Sequence, residues 1–435
     1  MKALTAYEHD VLVADTGFKQ QGAVKAVPKG FFAWLEAEAL RLSENGETAW
    51  LRLTQCNGLR ALRLLNYVGV VRGPDGTQLE ILPKIGHSQS QATESLRLLL
   101  IEMLRSLAGF RFLQIDSAAI ATAKMPLLEI FIGEFLAALE HLVKRGIRSD
   151  YILYQGNLPH LRGKMLMAQH LRHNVIRKER FYVEYDEYSA NRPVNRLLVL
   201  ALNIVSGWTK SFHNQKRVRE LSFIFSDIPH SQSVIDDLNR MRTDRGMSHY
   251  QNAVAWMLLI LGGVSPLVAS GNHSTFSLLF PMEAVFEAYV GKHLGKQLLK
   301  PYRIRQQTSS FSLIKHKQNN WFRMRPDFLV EKGHRSKLVL DAKWKLLDST
   351  LNDGRNKYGL SQNDFYQLFA YGKSYLLGQG DLILIYPKSK RFAKPLPLFE
   401  FSDATSLRLW VLPFCLSAKK LLLPKCGSLD AYWET

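Results

Sequence analysis

Two aspartates and a lysine stand close together in a short, otherwise apolar part of this sequence. Asp327 lies in Met324-Arg-Pro-Asp-Phe-Leu-Val330, and Asp341 and Lys343 lie in Leu338-Val-Leu-Asp-Ala-Lys-Trp344. Carboxylate oxygens are the ligands Mg²⁺ prefers, and Mg²⁺ usually keeps waters and completes its shell with a substrate phosphate. A metal held by such a pair activates water and stabilises the charge of a phosphodiester transition state. A lysine beside it orients the attacking water or neutralises developing charge.

The elements that would position these groups can be read around them. Both apolar segments read as strands, and the polar run Glu331 to Lys337, with Gly333 inside it, as the turn between them. Residues two apart share a face of a strand, so Asp341 and Lys343 point one way while Leu340 and Ala342 face the other. If the hairpin pairs, Asp327 approaches Asp341. Any one of these charges alone reads as an ordinary surface group. Asp341 differs because three apolar residues precede it, and a buried charge needs a partner or a metal. Upstream, Phe280–Val290 reads as a helix that puts Glu283 and Glu287 on one face. Downstream, Asn363–Tyr371 reads as a helix with Asn363 as N-cap and with Gln367 and Tyr371 one turn apart.

Taken in this order, Pro326-Asp327, Asp341-Ala342-Lys343 and the two helices resemble the PD-(D/E)XK nuclease superfamily. The resemblance implies a restriction-endonuclease-like mixed sheet flanked by helices. It implies a Mg²⁺ site, with Mn²⁺ as the alternative, at Asp327 and Asp341. It also implies an acid on the preceding helix. Glu287 is favoured over Glu283, because the pair Phe286-Glu287 is closer to the family pattern. Lys343 would position or activate water. Gln367 and Tyr371 form the Gln-x-x-x-Tyr helix of the RecB-like branch and would support the site or contact the DNA backbone.

Composition agrees with a polyanionic partner. There are 57 Lys+Arg against 38 Asp+Glu, a net charge of +19, and basic surface attracts phosphate and gains from counterion release. An anionic membrane surface is the competing explanation. The longest apolar run, Ala253 to Val264, ends at Gly262, Gly263 and Pro266 and is shorter than the roughly 20 residues of a span, so it reads as a buried helix and no membrane is expected. The first residues lack the apolar core of a signal peptide. Cys56, Cys415 and Cys426 form neither a zinc site nor a disulfide framework, which fits a cytoplasmic protein. No Gly-x-x-x-x-Gly-Lys-Ser/Thr loop is present, so the chain itself binds no nucleotide by that route. No His-Glu-x-x-His or Gly-x-Ser-x-Gly arrangement supports a zinc protease or a serine hydrolase.

The expected class is a multidomain α/β chain. Residues 1–110 read as a strand-rich domain. Lys29 to Leu42 is an amphipathic helix, Ala49–Thr54 a strand, and Leu64–Val71 and Gln78–Pro83 a hairpin around Gly73-Pro-Asp-Gly76, a strong turn signal. From about residue 92 the chain reads as mainly helical, with helices over Leu96–Leu104 and Leu127–Val143, and the middle region 111–265 carries a basic stretch from Arg162 to Arg180 and a polar cluster of Arg192, Asn195 and Arg196. Residues 266–435 hold the nuclease motifs, and Asp381–Pro387 reads as a central strand.

Tyr67-Val-Gly-Val-Val, Asp75-Gly and Glu80-Ile-Leu-Pro-Lys-Ile85 resemble the N-terminal half of the McrC family. Leu161-Arg-Gly-Lys164 and Tyr185 to Leu197 continue that resemblance. McrC is the nuclease partner in methylation-dependent restriction of the McrBC type. The resemblance implies a partner, a McrB-like AAA+ GTPase hexamer, and a substrate, double-stranded DNA carrying modified cytosine. It also implies that part of residues 1–265, with 111–265 the candidate contact, engages and stimulates the GTPase. Segments 205–250 and 400–435 carry no assigned role. The alternatives are a non-catalytic adaptor and a stand-alone RecB-like nuclease.

Overall fold

The computed structural model describes residues 4–15, 22–46, 49–85, 93–107, 125–242, 245–262, 276–333, 335–402, 406–424 and 428–433. Cys426, Gly263 and Pro266 lie outside them. The chain divides into two units. The first joins Met1–Lys124 to Ser277–Thr435, and the second is Met125–Phe276.

The first part of unit one comprises β1 (Leu4–Tyr7), β2 (Val11–Ala14), β3 (Val24–Val27), helix α1 (Lys29–Glu44), β4 (Leu51–Cys56), β5 (Leu59–Leu64), β6 (Tyr67–Arg72), β7 (Gln78–Leu82) and α2 (Thr93–Leu104). Helix α1 starts behind Pro28 and buries Phe31, Phe32, Leu35, Ala39 and Leu42, the spacing of one helical face. The expected hairpin forms between β6 and β7, pairing Gly69 with Ile81 and Arg72 with Gln78. Its turn is held by the Asp75 carboxylate, which accepts from the Thr77 backbone N–H at 2.9 Å and the Thr77 hydroxyl at 2.7 Å.

Unit two contains α3 (Leu127–Arg145), β8 (Asp150–Leu158), β9 (Lys164–Met165), α4 (Met167–Asn174), β10 (Phe181–Ser189), α5 (Pro193–Ser206), α6 (Phe212–Ile224), α7 (Val234–Arg240) and α8 (Gln251–Leu261). Beyond the expected helices it holds a three-stranded sheet, in the order β8-β10-β9. The Arg192, Asn195 and Arg196 cluster is a packing lock. Asn195 is fully buried and donates to the carbonyls of Arg148 at 3.0 Å and Ala190 at 2.7 Å. Tyr250 donates to its amide oxygen at 3.0 Å, and Arg196 pairs with Asp237.

The chain then returns to unit one through β11 (Phe276–Pro281), α9 (Met282–Gln297), β12 (Arg303–Gln306), β13 (Phe311–His316), β14 (Asn319–Met324), β15 (Phe328–Lys332), β16 (Arg335–Ala342), α10 (Gln362–Tyr375), β17 (Gln379–Pro387), β18 (Phe399–Glu400), β19 (Ser406–Cys415) and β20 (Lys420–Leu421). Strand β11 adds to β6 in a sheet ordered β1-β7-β6-β11. A seven-stranded mixed sheet runs β12-β15-β16-β17-β19-β18, with β20 on β19. Strand β17 lies parallel between β16 and β19, buried from Asp381 to Pro387 as its unbroken apolar run requires.

Two boundaries differ from expectation. Met324–Val330 is not one strand: β14 ends at Met324 in a separate ribbon with β13, and β15 begins at Phe328. Pro326 interrupts the ladder, having no N–H to donate. The turn between β15 and β16 is also tighter than Glu331 to Lys337. Pairing runs out to Lys332 and Arg335, because Gly333 takes a positive φ of 64° that closes it. Among the described residues no helix is long and apolar enough to cross a membrane.

Candidate active site

Strand β15 pairs with β16 through Phe328 opposite Leu340, so the residues on either side of that pair, Asp327 and Asp341, meet at one edge of the sheet. Asp327 sits just before β15, and its Oδ2 accepts the Ala342 N–H at 2.8 Å. Asp341 is buried (1% exposed). Its Oδ2 lies 2.7 Å from the Lys343 ammonium, as their shared face requires. Its Oδ1 has no hydrogen-bond donor among the described residues.

The electrostatics follow from this crowding. Burial, then the charges of Asp341 and Glu287, push Asp327 up to about 8. Burial also raises Asp341 above the usual carboxylate range. For Lys343, burial works against the charged form, but the adjacent Asp341 carboxylate prevails and holds it above the ordinary lysine range. Lys343 is therefore a firmly charged ammonium.

Helix α10 steadies that lysine. Lys343 Nζ donates to Gln367 Oε1 at 3.2 Å, and Gln367 Nε2 donates to the Tyr371 hydroxyl at 2.8 Å. Tyr371 in turn donates to the Arg325 carbonyl at 3.1 Å. One turn on, Tyr375 donates to the Met324 carbonyl at 2.9 Å. The helix thus grips both the lysine and the chain leading into Asp327. Its N-cap is Ser361 rather than Asn363, which lies inside the first turn. Tyr371 is buried, so it faces the protein interior.

Helix α9 supplies the acids of the opposite wall. Glu287 accepts from Gln307 Nε2 at 2.9 Å, and the Gln307 N–H donates to the Asp327 carbonyl at 3.0 Å. Burial first, with Asp341 adding to it, raises Glu287 above the usual range. Glu283 accepts from Asn66 at 3.1 Å. A cavity of about 710 Å³ is lined by Glu283, Glu287, Asp327, Lys343 and Asp364, and also by His9, Asn66 and Lys84 from the N-terminal part of the unit.

Sequence reasoning missed Asp364, Lys84 and Glu8. Asp364 accepts from the Tyr386 hydroxyl at 3.0 Å, and its place beside Asn363 in the first turn of α10 was the available signal. Glu8 is buried and pushed up to about 7 by desolvation. Its contacts span distant segments, so nothing local could have flagged it.

No three His, Cys, Asp or Glu side chains gather into a ready metal cage among the described residues. The donor set nevertheless fits Mg²⁺, which takes one or two carboxylates and leaves its other positions to water and phosphate. The unpartnered Asp341 Oδ1 is the buried oxygen such an ion would satisfy.

A family model described as McrBC 5-methylcytosine restriction system component matches residues 62–387. Among curated proteins none matches in sequence. A refined half-complex from a tetradecameric assembly of Thermococcus gammatolerans McrB AAA+ hexamers with bound McrC contains a similar chain, with a TM-score of 0.69 at 20% identity, covering 98% of this chain and 97% of that one. A cryo-EM structure of the Thermococcus gammatolerans McrBC complex matches with a TM-score of 0.48 at 20% identity, covering 66% of this chain and 86% of the other. At 20% identity the first likeness bears on the fold: a mixed α/β chain with several sheets.

Proposed function

This chain belongs to the family described as McrBC 5-methylcytosine restriction system component, and on that premise we propose that it is the Mg²⁺-dependent DNA endonuclease subunit of a GTP-dependent restriction complex. In this reading the seven-stranded sheet with α9 and α10 is a PD-(D/E)XK nuclease core. The substrate is double-stranded DNA carrying modified cytosine. The partner is an AAA+ GTPase hexamer, like the McrB to which McrC is bound in the similar complex. With no Walker A loop in this chain, GTP turnover belongs to the partner.

The observation that carries the nuclease reading is Asp341, a buried carboxylate with one oxygen on Lys343 and the other without a donor. Such a group is costly to leave unmatched, and a divalent cation matches it. Asp327 and Asp341 would hold Mg²⁺, with Glu287 assisting from α9. The bound ion supplies Lewis-acid stabilisation of the phosphoryl oxygens and a more acidic water. Lys343, fixed between Asp341 and Gln367, orients the attacking water and offsets charge on the pentavalent phosphorus. Its firm positive charge suits electrostatic positioning better than proton abstraction. Gln367 and Tyr371 hold the lysine and the approach to Asp327 and do not touch the DNA.

Metal binding is expected to depend on pH. With its carboxyl pushed up to about 8, Asp327 in the folded, metal-free chain keeps a proton that the unfolded chain releases at its ordinary, lower value. The folded state therefore binds more protons across that window, and this group's contribution to stability falls as pH rises from the unfolded value towards about 8. Mg²⁺ displaces the proton, so its apparent affinity rises by about tenfold per pH unit below about 8 for each proton released. Titrating Mg²⁺ by calorimetry across this range checks it. A flat affinity, or an unchanged profile in Asp327→Asn, contradicts the assignment.

The GTPase contact is assigned to unit two. On its three-stranded sheet Tyr151 and Tyr188 stand well exposed, and Ile176, beyond α4, is 92% exposed. Arg162, Lys164, Arg172, Arg177, Lys178 and Arg180, all exposed, lie on β9, on α4 and in the segments beside them. Large apolar side chains left in solvent beside a dense positive charge suit a protein partner. The test pairs the protein with its cognate GTPase, methylated plasmid, Mg²⁺ and GTP, and follows cutting and GTP turnover together. Cutting that needs all components supports the reading. Accelerated GTP hydrolysis without cutting favours an adaptor, and cutting with Mg²⁺ alone favours a stand-alone nuclease.

A further inference from the structure

The segment Glu80-Ile-Leu-Pro-Lys-Ile85 leads out of β7 into the wall of the cleft. Strand β7 ends at Leu82, and Pro83, with no N–H, stops the ladder. Lys84 then reaches across. Its ammonium donates to the Trp344 carbonyl at 3.0 Å, lies 5.6 Å from the Trp344 ring centre, and is 3.5 Å from His9 Nε2. Trp344 directly follows Lys343.

Buried Glu8 fixes this placement from behind. One of its oxygens accepts the Lys84 backbone N–H at 2.9 Å, and the Trp344 indole N–H donates to the two oxygens at 2.9 and 3.0 Å. A single carboxylate therefore ties the backbone of Lys84 to the side chain next to Lys343. A lysine ammonium has three donors; the Trp344 carbonyl engages one, His9 Nε2 at 3.5 Å lies in reach of a second, and a third is left for a ligand. Lys84 lines the same cavity as Glu287, Asp327 and Lys343, and Lys345 stands beside it. The acids of that cavity face a metal. A polyanionic strand lying across it also needs cations, and an ammonium is a compact point charge suited to a phosphate oxygen.

We propose that Lys84 is a DNA-binding residue of the cleft, holding a backbone phosphate that flanks the scissile one, so that the N-terminal segment completes the nuclease site. This rests on the nuclease reading given above. The alternative is that Lys84 only pins Trp344. Two substitutions separate them: Lys84→Gln keeps a donor for the Trp344 carbonyl without the charge, and Lys84→Met keeps only the apolar stem.

The experiment uses the full chain with its GTPase partner and a methylated duplex. Affinity is measured with Ca²⁺ in place of Mg²⁺ over a salt series, and cleavage with Mg²⁺ over a DNA series. One phosphate contact contributes about 0.9 to the slope of log K against log salt. Both variants are expected to lose about that much slope and to cut several-fold more slowly at low DNA, with the loss relieved at saturating DNA, while Lys84→Arg restores the slope. GTP turnover should not change. A wild-type slope in Lys84→Gln, with Lys84→Met merely less stable, overturns the proposal and leaves the nuclease reading intact. A wild-type complex that binds the duplex but never cuts it overturns the nuclease reading, and the proposal with it.

Discussion

On the proposed nuclease reading, replacing Asp341 with alanine is expected to lower DNA cleavage by on the order of a thousandfold or more while the protein stays folded and the partner's GTP turnover is unchanged. The carboxylate is buried near the end of β16 and lies 2.7 Å from the Lys343 ammonium. Without it the proposed Mg²⁺ would lose a ligand and the lysine would lose the group that aims it. The loss of activity therefore combines two effects that cannot be added separately. Folding should survive because Asp341 is poorly satisfied in the metal-free protein and Lys343 is exposed enough to hydrate. Melting in EDTA should show no fall in midpoint, and a small rise is expected for a site that holds an unmatched charge for function. Plasmid cutting and GTP turnover, measured side by side, decide it. Cleavage within tenfold of wild type would remove Asp341 from the chemistry.

The second large effect lies far from the acids in sequence. Gly69 in β6 has φ +135°, and a side chain there would place its Cβ 2.0 Å from the Leu278 carbonyl oxygen of β11. That is backbone meeting backbone, so no rotamer relieves it. Gly69→Val is expected to cost about 3 kcal/mol or more by prising β11 from β6. Strand β11 runs directly into α9, which carries Glu283 and Glu287, so cleavage should fall together with stability. Gly58 is the control. It also has a positive φ, +77°, but a Cβ there meets nothing within 4 Å, and Gly58→Ala should cost only about 1 kcal/mol. Urea unfolding followed by fluorescence measures both. Equal losses would show that strain at φ, and not the Leu278 contact, sets the cost at Gly69.

The placement of the candidate site's residues is largely legible in the sequence because its spacing is local. Asp341-Ala342-Lys343 needs only the two-residue repeat of a strand, and Gln367 and Tyr371 only one helical turn. Other features are invisible to such reasoning. Strand β8 exposes residues on both faces and β10 buries only Val183, so neither shows the alternation that marks a half-buried strand. The β13–β14 ribbon likewise presents Phe311, Leu313, Trp321 and Phe322 to solvent, and Pro326, part of the Pro-Asp motif in sequence, is also the break between two strands. Glu8 and Trp344 are partners across most of the chain, a pairing that no window of sequence contains.

The order in which unit one is assembled has a cost during synthesis. Strands β6 and β7 leave the ribosome early, but β11, which covers the outer edge of β6, follows only after the whole of unit two. At about 5–20 residues per second the delay is on the order of ten seconds. Throughout it the apolar strand Tyr67–Arg72 offers an unpaired row of N–H and C=O groups, the kind of edge along which neighbouring chains aggregate. Nascent-chain chaperones therefore have a defined target in this protein, and a stalled chain that ends within unit two is the form in which it is most exposed.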